Sequence, residues 1–327
     1  MPYTDELKRI VSGYAADVRR YLSGDKADYV YSAARSGESG TFDKNYANRM
    51  RLCWALYYNV CEVPDKPALV RELFLEELKD RETNSFQGIG DNLETLTSML
   101  LELGEPPGNE LFIRAQNANF DCACGYEPRI LKFTPLGDFT PYECINTLSD
   151  LGENELVCKL TDEFKSGEFD LNGLRELRSI AEWCTKRSAD KEFAVTEIYG
   201  IFQNSPELFD SSEAFKAVYD YAETLLEKGD TANALAVYNE HKETLMRYKR
   251  KFYTLGAGLI AGGADDPEKI WADILPHIQT DMKNGMVAPI NRDIILAAAE
   301  RAGDLKMLKK LRKYFDKKEA EMRKIFD

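Results

Sequence analysis

The sequence predicts an all-α chain of stacked antiparallel helical hairpins, α-solenoid-like in arrangement. Three observations predict it. Apolar residues recur at helical spacing along most of the 327 residues. Strand patterning is nearly missing, its best candidate being residues 129–133 (RILKF), which Pro128 and Pro135 confine. Short turns in which glycine is followed by an acid or a second glycine separate the helical stretches.

Taken in order, Tyr46, Met50, Cys53, Tyr57 and Val60 share one helical face. Leu93, Leu96, Leu100 and Leu103 form a second stripe. That helix has Asp91 as expected N-cap with Glu94 as its reciprocal partner, Gly104 to close it in the left-handed conformation, and Pro106-Pro107 to stop it. Leu174, Leu177, Ala181 and Cys184 mark another helix, and Phe215, Tyr219, Ala222 and Leu226 one more, ended by Gly229. A loop is expected at 37–40 and another near 262–267. The C-terminal segment is amphipathic, with Leu305, Leu308, Leu311 and Phe315 opposite a lysine-rich face.

Residues 125–141 hold two glycines and three prolines, which predicts the main boundary. The expected division is a helical domain at 1–127, a connector at 128–141 and a helical-repeat domain at 142–327. Turns at Gly152-Glu153, Gly167-Glu168, Gly229-Asp230, Gly262-Gly263 and Gly303-Asp304 punctuate the second part. Gly229 to Gly263 spans 34 residues and Gly263 to Gly303 spans 40, lengths that suit two-helix repeats. In each Gly-acid turn the glycine ends one helix and the acid caps the next. Residues 214–243 resemble a tetratricopeptide repeat. Gly229-Asp230 forms the turn, Ala234 and Tyr238 occupy the family's small and aromatic positions on the second helix, and Tyr221, Ala222 and Leu225 loosely fill the first. Val218 replaces the usual aromatic, and Met246 stands where proline often ends the unit. The resemblance covers about thirty residues, no second copy matches as well, and it implies a degenerate tetratricopeptide- or HEAT-type hairpin array that binds peptide or protein.

Charge and composition narrow the function classes. The net charge is −13, and an acidic surface repels nucleic acid and anionic lipid. Residues 301–327 carry +5, leaving −18 on the first 300. No stretch reaches the roughly 20 apolar residues of a membrane span, and the nearest, residues 252–264, reads as a glycine-rich core helix. The charged N-terminal segment lacks the apolar core of a signal peptide, and seven scattered cysteines fit reduced thiols, so a cytoplasmic protein is expected.

The most unusual stretch is residues 109–126 (NELFIRAQNANFDCACGY). Leu111, Ala115, Ala118 and Cys122 keep helical spacing toward a core, while Arg114, Asn117, Asp121 and Cys124 follow a second face, with Asn119 nearer the apolar stripe. Asn and Asp are poor helix formers and collect where they cap, pair in a buried network or present a site. Arg114, Asn117, Asn119, Asp121 and Cys124 are therefore the candidate binding residues, the alternative being an inter-helix network through Arg114. Cys122 and Cys124 alone give no zinc spacing, and residues two apart on a helix diverge. The two histidines, His241 (expected at the surface) and His277 (beside the kink at Pro276), have no local nucleophile partner. Gly256-x-Gly258 with Gly262-Gly263 lacks the strand and Lys-Ser/Thr of a phosphate loop. No catalytic residue, metal or cofactor is assigned. The expected function is non-enzymatic protein binding, as adaptor or inhibitor-type binder of a basic partner, through an acidic helical surface. The alternatives are a hydrolase or transferase around Arg114, or nucleic-acid binding through the basic C-terminal helix. Oligomeric state stays open.

Overall fold

The computed structural model describes residues 2–36, 40–85, 88–131 and 135–326, and most of them are helical. The chain separates into two compact units, Met1–Gly167 with Trp183–Lys186, and Glu168–Glu182 with Arg187–Asp327.

The first unit holds α1 (Pro2–Gly13), α2 (Ala15–Leu22), α3 (Tyr46–Tyr57), α4 (Lys66–Thr83), α5 (Asp91–Glu102), α6 (Glu110–Gln116), α7 (Phe120–Gly125), α8 (Pro141–Asp150) and α9 (Asn154–Lys165). Strands β1 (Ala33–Ser36) and β2 (Gly40–Asp43) pair antiparallel, with Ala33 opposite Asp43. The sequence reading placed a loop at 37–40, and residues 37–39 lie outside the described residues. The flanking strands escaped it because Ala-Ala-Arg-Ser has no alternation of apolar and polar side chains. The best strand candidate of the sequence, 129–133, forms no strand over its described residues: Pro128–Ile130 form a 3-10 turn, while Lys132 and Phe133 lie outside the described residues. The expected connector at 128–141 lies inside this unit, because α1 packs on α8 and the helices before and after the proline-rich segment share one core.

Capping also departs from expectation. Asp91 is the first helical residue, Gly90 takes the cap position at φ 82°, and neither makes a side-chain capping bond. Reciprocal caps form instead at Thr140 with Glu143 on α8 and at Asp210 with Glu213 ahead of residue 211. Gly104 does adopt positive φ, at 93°.

Charge is buried in the first unit. Arg49, on α3, is fully buried, with Nη1 2.6 Å from Asp43 Oδ2 and Nε 2.8 Å from Glu77 Oε2 on α4. Asp43 also accepts from the Ser32 and Asn45 amides at 2.9 and 3.0 Å. Arg81 pairs with Asp80, and Asn92 of α5 reaches Glu77 Oε2 at 3.4 Å. One guanidinium thus joins the strand hairpin to the α3–α4 pair.

The second unit holds α10 (Leu171–Ser179), which runs into a π-turn at Ile180–Cys184, then α11 (Ser188–Asn204), α12 (Ser211–Glu227), α13 (Thr231–Glu240), α14 (Lys242–Met246), α15 (Lys249–Gly262), α16 (Pro267–Lys283), α17 (Arg292–Arg301) and α18 (Leu305–Phe326). Helix α12 packs on α13, α15 on α16, and α17 on α18, while α12 also packs on α15 and α15 on α17. The Gly-acid turns act as read at two places: Gly229 has φ 77° and Asp230 caps α13, and Gly303 has φ 72° with Asp304 accepting from the Met307 amide. At Gly167-Glu168 the cap is Asp170 instead. On α18, Leu308, Leu311 and Phe315 are buried as expected, but Leu305 is exposed.

Helix α15 lies at the centre of this unit and its glycines permit the approach. A Cβ at position 256 would stand 2.6 Å from Ile274 Cγ2 of α16, and one at 258 would stand 3.1 Å from Leu226 Cδ1 of α12. Ile274 is β-branched and stiff, so it cannot swing away. Gly256→Ala gains about 1 kcal/mol of helix propensity but overpacks the α15–α16 contact at about 1–3 kcal/mol. The expected net result is destabilisation by roughly 1 kcal/mol. Gly200→Ala on α11, where a Cβ meets nothing within 4 Å, should stabilise by up to about 1 kcal/mol. Urea unfolding of the two variants checks the opposite signs.

His241 differs from its expected surface position. It follows α13, its side chain is 15% exposed, and its Nε2 lies 3.0 Å from the Tyr199 hydroxyl of α11. Tyr199 stacks on Tyr221 of α12 with centroids 4.2 Å apart, and Gln203 donates to its hydroxyl at 3.1 Å. Burial lowers the His241 pKa, opposed by Glu240. A neutral ring accepts from Tyr199. The sign follows: with the folded pKa below the unfolded value of 6.5, this contribution to stability is present above that value and is lost as pH falls through the folded pKa. Thermal unfolding between pH 7 and pH 5 should show a smaller drop for His241→Gln than for wild type. An equal drop in both would remove this assignment.

Candidate functional site

The five residues expected at 109–126 are not gathered on one face. The helix breaks at residues 117–119 into α6 and α7, because Asn119 turns to extended backbone (φ −156°) and caps α7, its side chain accepting from the Cys122 amide at 2.9 Å. The Asn119 amide group also donates to the Arg81 and Gly88 carbonyls at 3.2 and 3.1 Å. Arg114 reaches back to α4 and forms a bidentate pair with Glu82, 2.7 and 2.8 Å. That pairing holds the Glu82 carboxyl below its usual range. Asn117 donates to the Ile113 carbonyl at 2.7 Å. Asp121 is half-buried in the first turn of α7, and Cys124 is exposed in its last turn. Three of the five thus have structural bonds. Cys122 is buried, and burial raises its thiol pKa. A nearby pocket is lined by Phe112, Ile113, Gln116, Pro128 and Arg129 among others and takes in none of the five. Among the described residues no cluster of three His, Cys, Asp or Glu is placed to hold a metal ion, and no helix is long and apolar enough to cross a membrane.

The second unit contains a concavity lined by both apolar and charged side chains. It has a volume of about 190 Å³ between α10, α11 and α12. Val195, Ile198, Phe209 and Ala217 give it apolar walls, and Arg175, Arg178, Glu213, Lys216 and Asp220 give it charge. Placement follows from helical spacing. Arg175 and Arg178 lie three apart on α10, and Glu213, Lys216 or Ala217, and Asp220 repeat at three to four and seven on α12, so each set shares a face. Arg178 Nη2 lies 2.9 Å from Asp220 Oδ2 and 3.4 Å from Glu182 Oε2. Arg175 Nη2 lies 2.8 Å from Glu213 Oε1 but outside hydrogen-bonding geometry, and the Arg175 guanidinium sits 5.7 Å from the Phe209 ring centre.

One buried donor in this lining, Arg178 Nε, has no hydrogen-bond acceptor, while Arg175 Nη2 is held as an ion pair by Glu213. A buried donor without a partner costs about 1–3 kcal/mol. Lys216 is exposed and forms no ion pair among the described residues. Asp220 is buried, and burial raises its pKa against the opposing pull of Arg178 and Lys216. The local sum is three cations (Arg175, Arg178 and Lys216) and three carboxylates (Glu182, Glu213 and Asp220).

Sequence reasoning missed this pocket. The sequence analysis singled out only the apolar stripes of these two helices, Leu174 and Leu177 on one and Phe215, Tyr219 and Ala222 on the other, and none of the charged residues between them. Nothing in the spacing says that the two faces meet. No protein-family model, no characterised protein and no solved structure matches the chain.

Proposed function

We propose that the chain is a non-enzymatic interaction protein whose second unit is a short array of stacked helical hairpins holding a protein partner. The observation that carries the reading is the packing order: α12, α15 and α17 pack in succession, and α13, α16 and α18 each pack on the helix before them. That is the neighbour pattern of a repeat stack, in which each hairpin buries its face on the next. The resemblance of residues 214–243 to a tetratricopeptide unit supports it, with Ala234 and Tyr238 fully buried at the family's small and aromatic positions. The glycines of α15 fill the same need for close helix approach in the next hairpin.

The net charge of −13 favours a basic partner, as adaptor or inhibitor-type binder, since complementary charge steers encounter. Seven cysteines without a disulfide support a cytoplasmic setting. The tagged full chain should retain one protein in stoichiometric amount from a lysate, and the affinity of the recovered protein should fall as ionic strength rises. Failure to recover such a partner across low and high salt contradicts the reading.

A further inference from the structure

Where α14 gives way to α15 the chain reads Arg247-Tyr248-Lys249-Arg250-Lys251, and residues 244–252 hold four cations and no acid. We propose that this segment binds single-stranded nucleic acid, with a base stacked on the open face of Tyr248 and the flanking phosphates received by Arg247, Lys249 and Lys251. Such binding goes beyond the scaffold reading and does not rest on it.

The ring sets the shape of the ligand. Tyr248 is 40% exposed, yet it is held in place. It lies on Phe215 of α12 with ring centres 4.0 Å and planes 27° apart, and Phe215 also stacks on Tyr219 at 5.6 Å. Phe215 and Tyr219 are buried. One face of Tyr248 is thus covered by a fixed ring, and its exposed area is the other face and the rim. The backbone is tied as well, since the Tyr248 amide donates to the Leu245 carbonyl at 3.2 Å and the Phe252 amide donates to the Tyr248 carbonyl at 3.0 Å. A planar group can settle on such a ring without first ordering it. Every base has a π-face, so the site is tolerant of sequence.

The cations set the charge. Arg247, Lys249 and Lys251 are exposed, and none of the three forms an ion pair among the described residues. Lys251 Nζ lies 4.6 Å from the Tyr219 ring centre, beside the stack. Arg250 is engaged by Asp281 at 3.5 Å. Glu223, which accepts from the Tyr219 hydroxyl at 2.8 Å, offsets at most one of the three, so a positive surplus remains. The net charge of −13 does not cancel it, because at physiological salt exposed charges beyond about 8 Å are largely screened. Arg247 and Lys249 precede and follow Tyr248 in the chain, as phosphates precede and follow each base in a strand. A duplex keeps its base faces covered, and an acidic peptide brings charge without a planar group. The lysines on the exposed side of α18 have no exposed aromatic ring among them.

The probe is a fluorescein-labelled oligothymidylate of about twelve nucleotides, titrated into the full chain and followed by anisotropy. The mononucleotide, a duplex of the same length and a polyglutamate of the same charge serve as competitors. The oligonucleotide should bind saturably, with each competitor at least about tenfold weaker. The logarithm of its affinity should fall against the logarithm of salt with a slope of about −2, as for three phosphate contacts on a single strand. Tyr248→Ala should weaken binding by at least about fivefold, and Tyr248→Phe, which keeps the ring, should not. Arg247→Gln with Lys249→Gln, both exposed, should flatten the slope to about −0.7. Lys306→Gln with Lys309→Gln on α18 removes the same charge and should leave affinity within about twofold. The proposal is overturned if any competitor binds as tightly as the oligonucleotide, if Tyr248→Ala binds unchanged, if the α18 variant loses as much as the Arg247 and Lys249 variant, or if binding does not saturate by about 1 mM at low salt. The scaffold reading is tested by partner capture alone, so either can fail while the other stands.

Discussion

Replacing Arg49 by methionine is expected to destabilise the first unit by about 3–5 kcal/mol. The side chain is fully buried, and its loss leaves the Asp43 and Glu77 carboxylates facing each other's environment without their cation. Ionised carboxylates in such surroundings cost several kcal/mol each. Burial already raises the Glu77 pKa, against the pull of Arg49 and Arg81. A raised carboxylate favours the folded state at low pH, below its unfolded value of 4.5, and loses that contribution as pH rises through the folded pKa. Removing Arg49 raises the Glu77 pKa further, so the defect should shrink on acidification from pH 8 to pH 5. Substituting the whole set, Arg49→Met with Glu77→Leu and Asp43→Asn, should restore most of the loss, since an apolar replacement of a buried ion pair is often neutral. Native-state hydrogen exchange of α3 and α4 amides reads all three effects. Equal protection in wild type and Arg49→Met would refute the assigned role.

Phe252→Ala carries the second large effect. Phe252 is fully buried on α15, stacks on Tyr238 of α13 at 5.3 Å, and meets His277 of α16 edge-on at 5.5 Å. It is thus a shared wedge for one hairpin and the next. Truncating a buried phenylalanine typically costs about 3–5 kcal/mol. Because the wedge serves three helices, protection should fall together in α13, α15 and α16. A loss confined to α15 would mean that the hairpins are not energetically coupled.

The helical class was legible because its signal is local. Leucine stripes such as Leu93–Leu96–Leu100 and turns such as Gly229-Asp230 are written in neighbouring residues, and these residues behave as read: Leu93, Leu96 and Leu100 are buried and Asp230 caps α13. What escaped depends on distant partners. Arg49 looks like any helical arginine until Glu77, 28 residues away, is placed beside it. His241 reads as a surface residue until Tyr199 arrives from α11. The helix expected through residues 109–126 breaks because Asn119 satisfies Gly88 and Arg81 carbonyls that no local pattern announces. The pocket was hidden for the same reason. Its charges belong to two helices, and they come together only where those helices meet.

The proposed role of the second unit, a hairpin stack holding a protein, is checked by affinity capture with the full chain followed by equilibrium binding of the recovered protein at rising salt. The expected result is one basic protein at equimolar ratio, with an affinity that weakens as ionic strength rises and falls when Phe252→Ala loosens the contacts among α13, α15 and α16. A partner retained equally by that variant, or no stoichiometric partner at any salt, would contradict it.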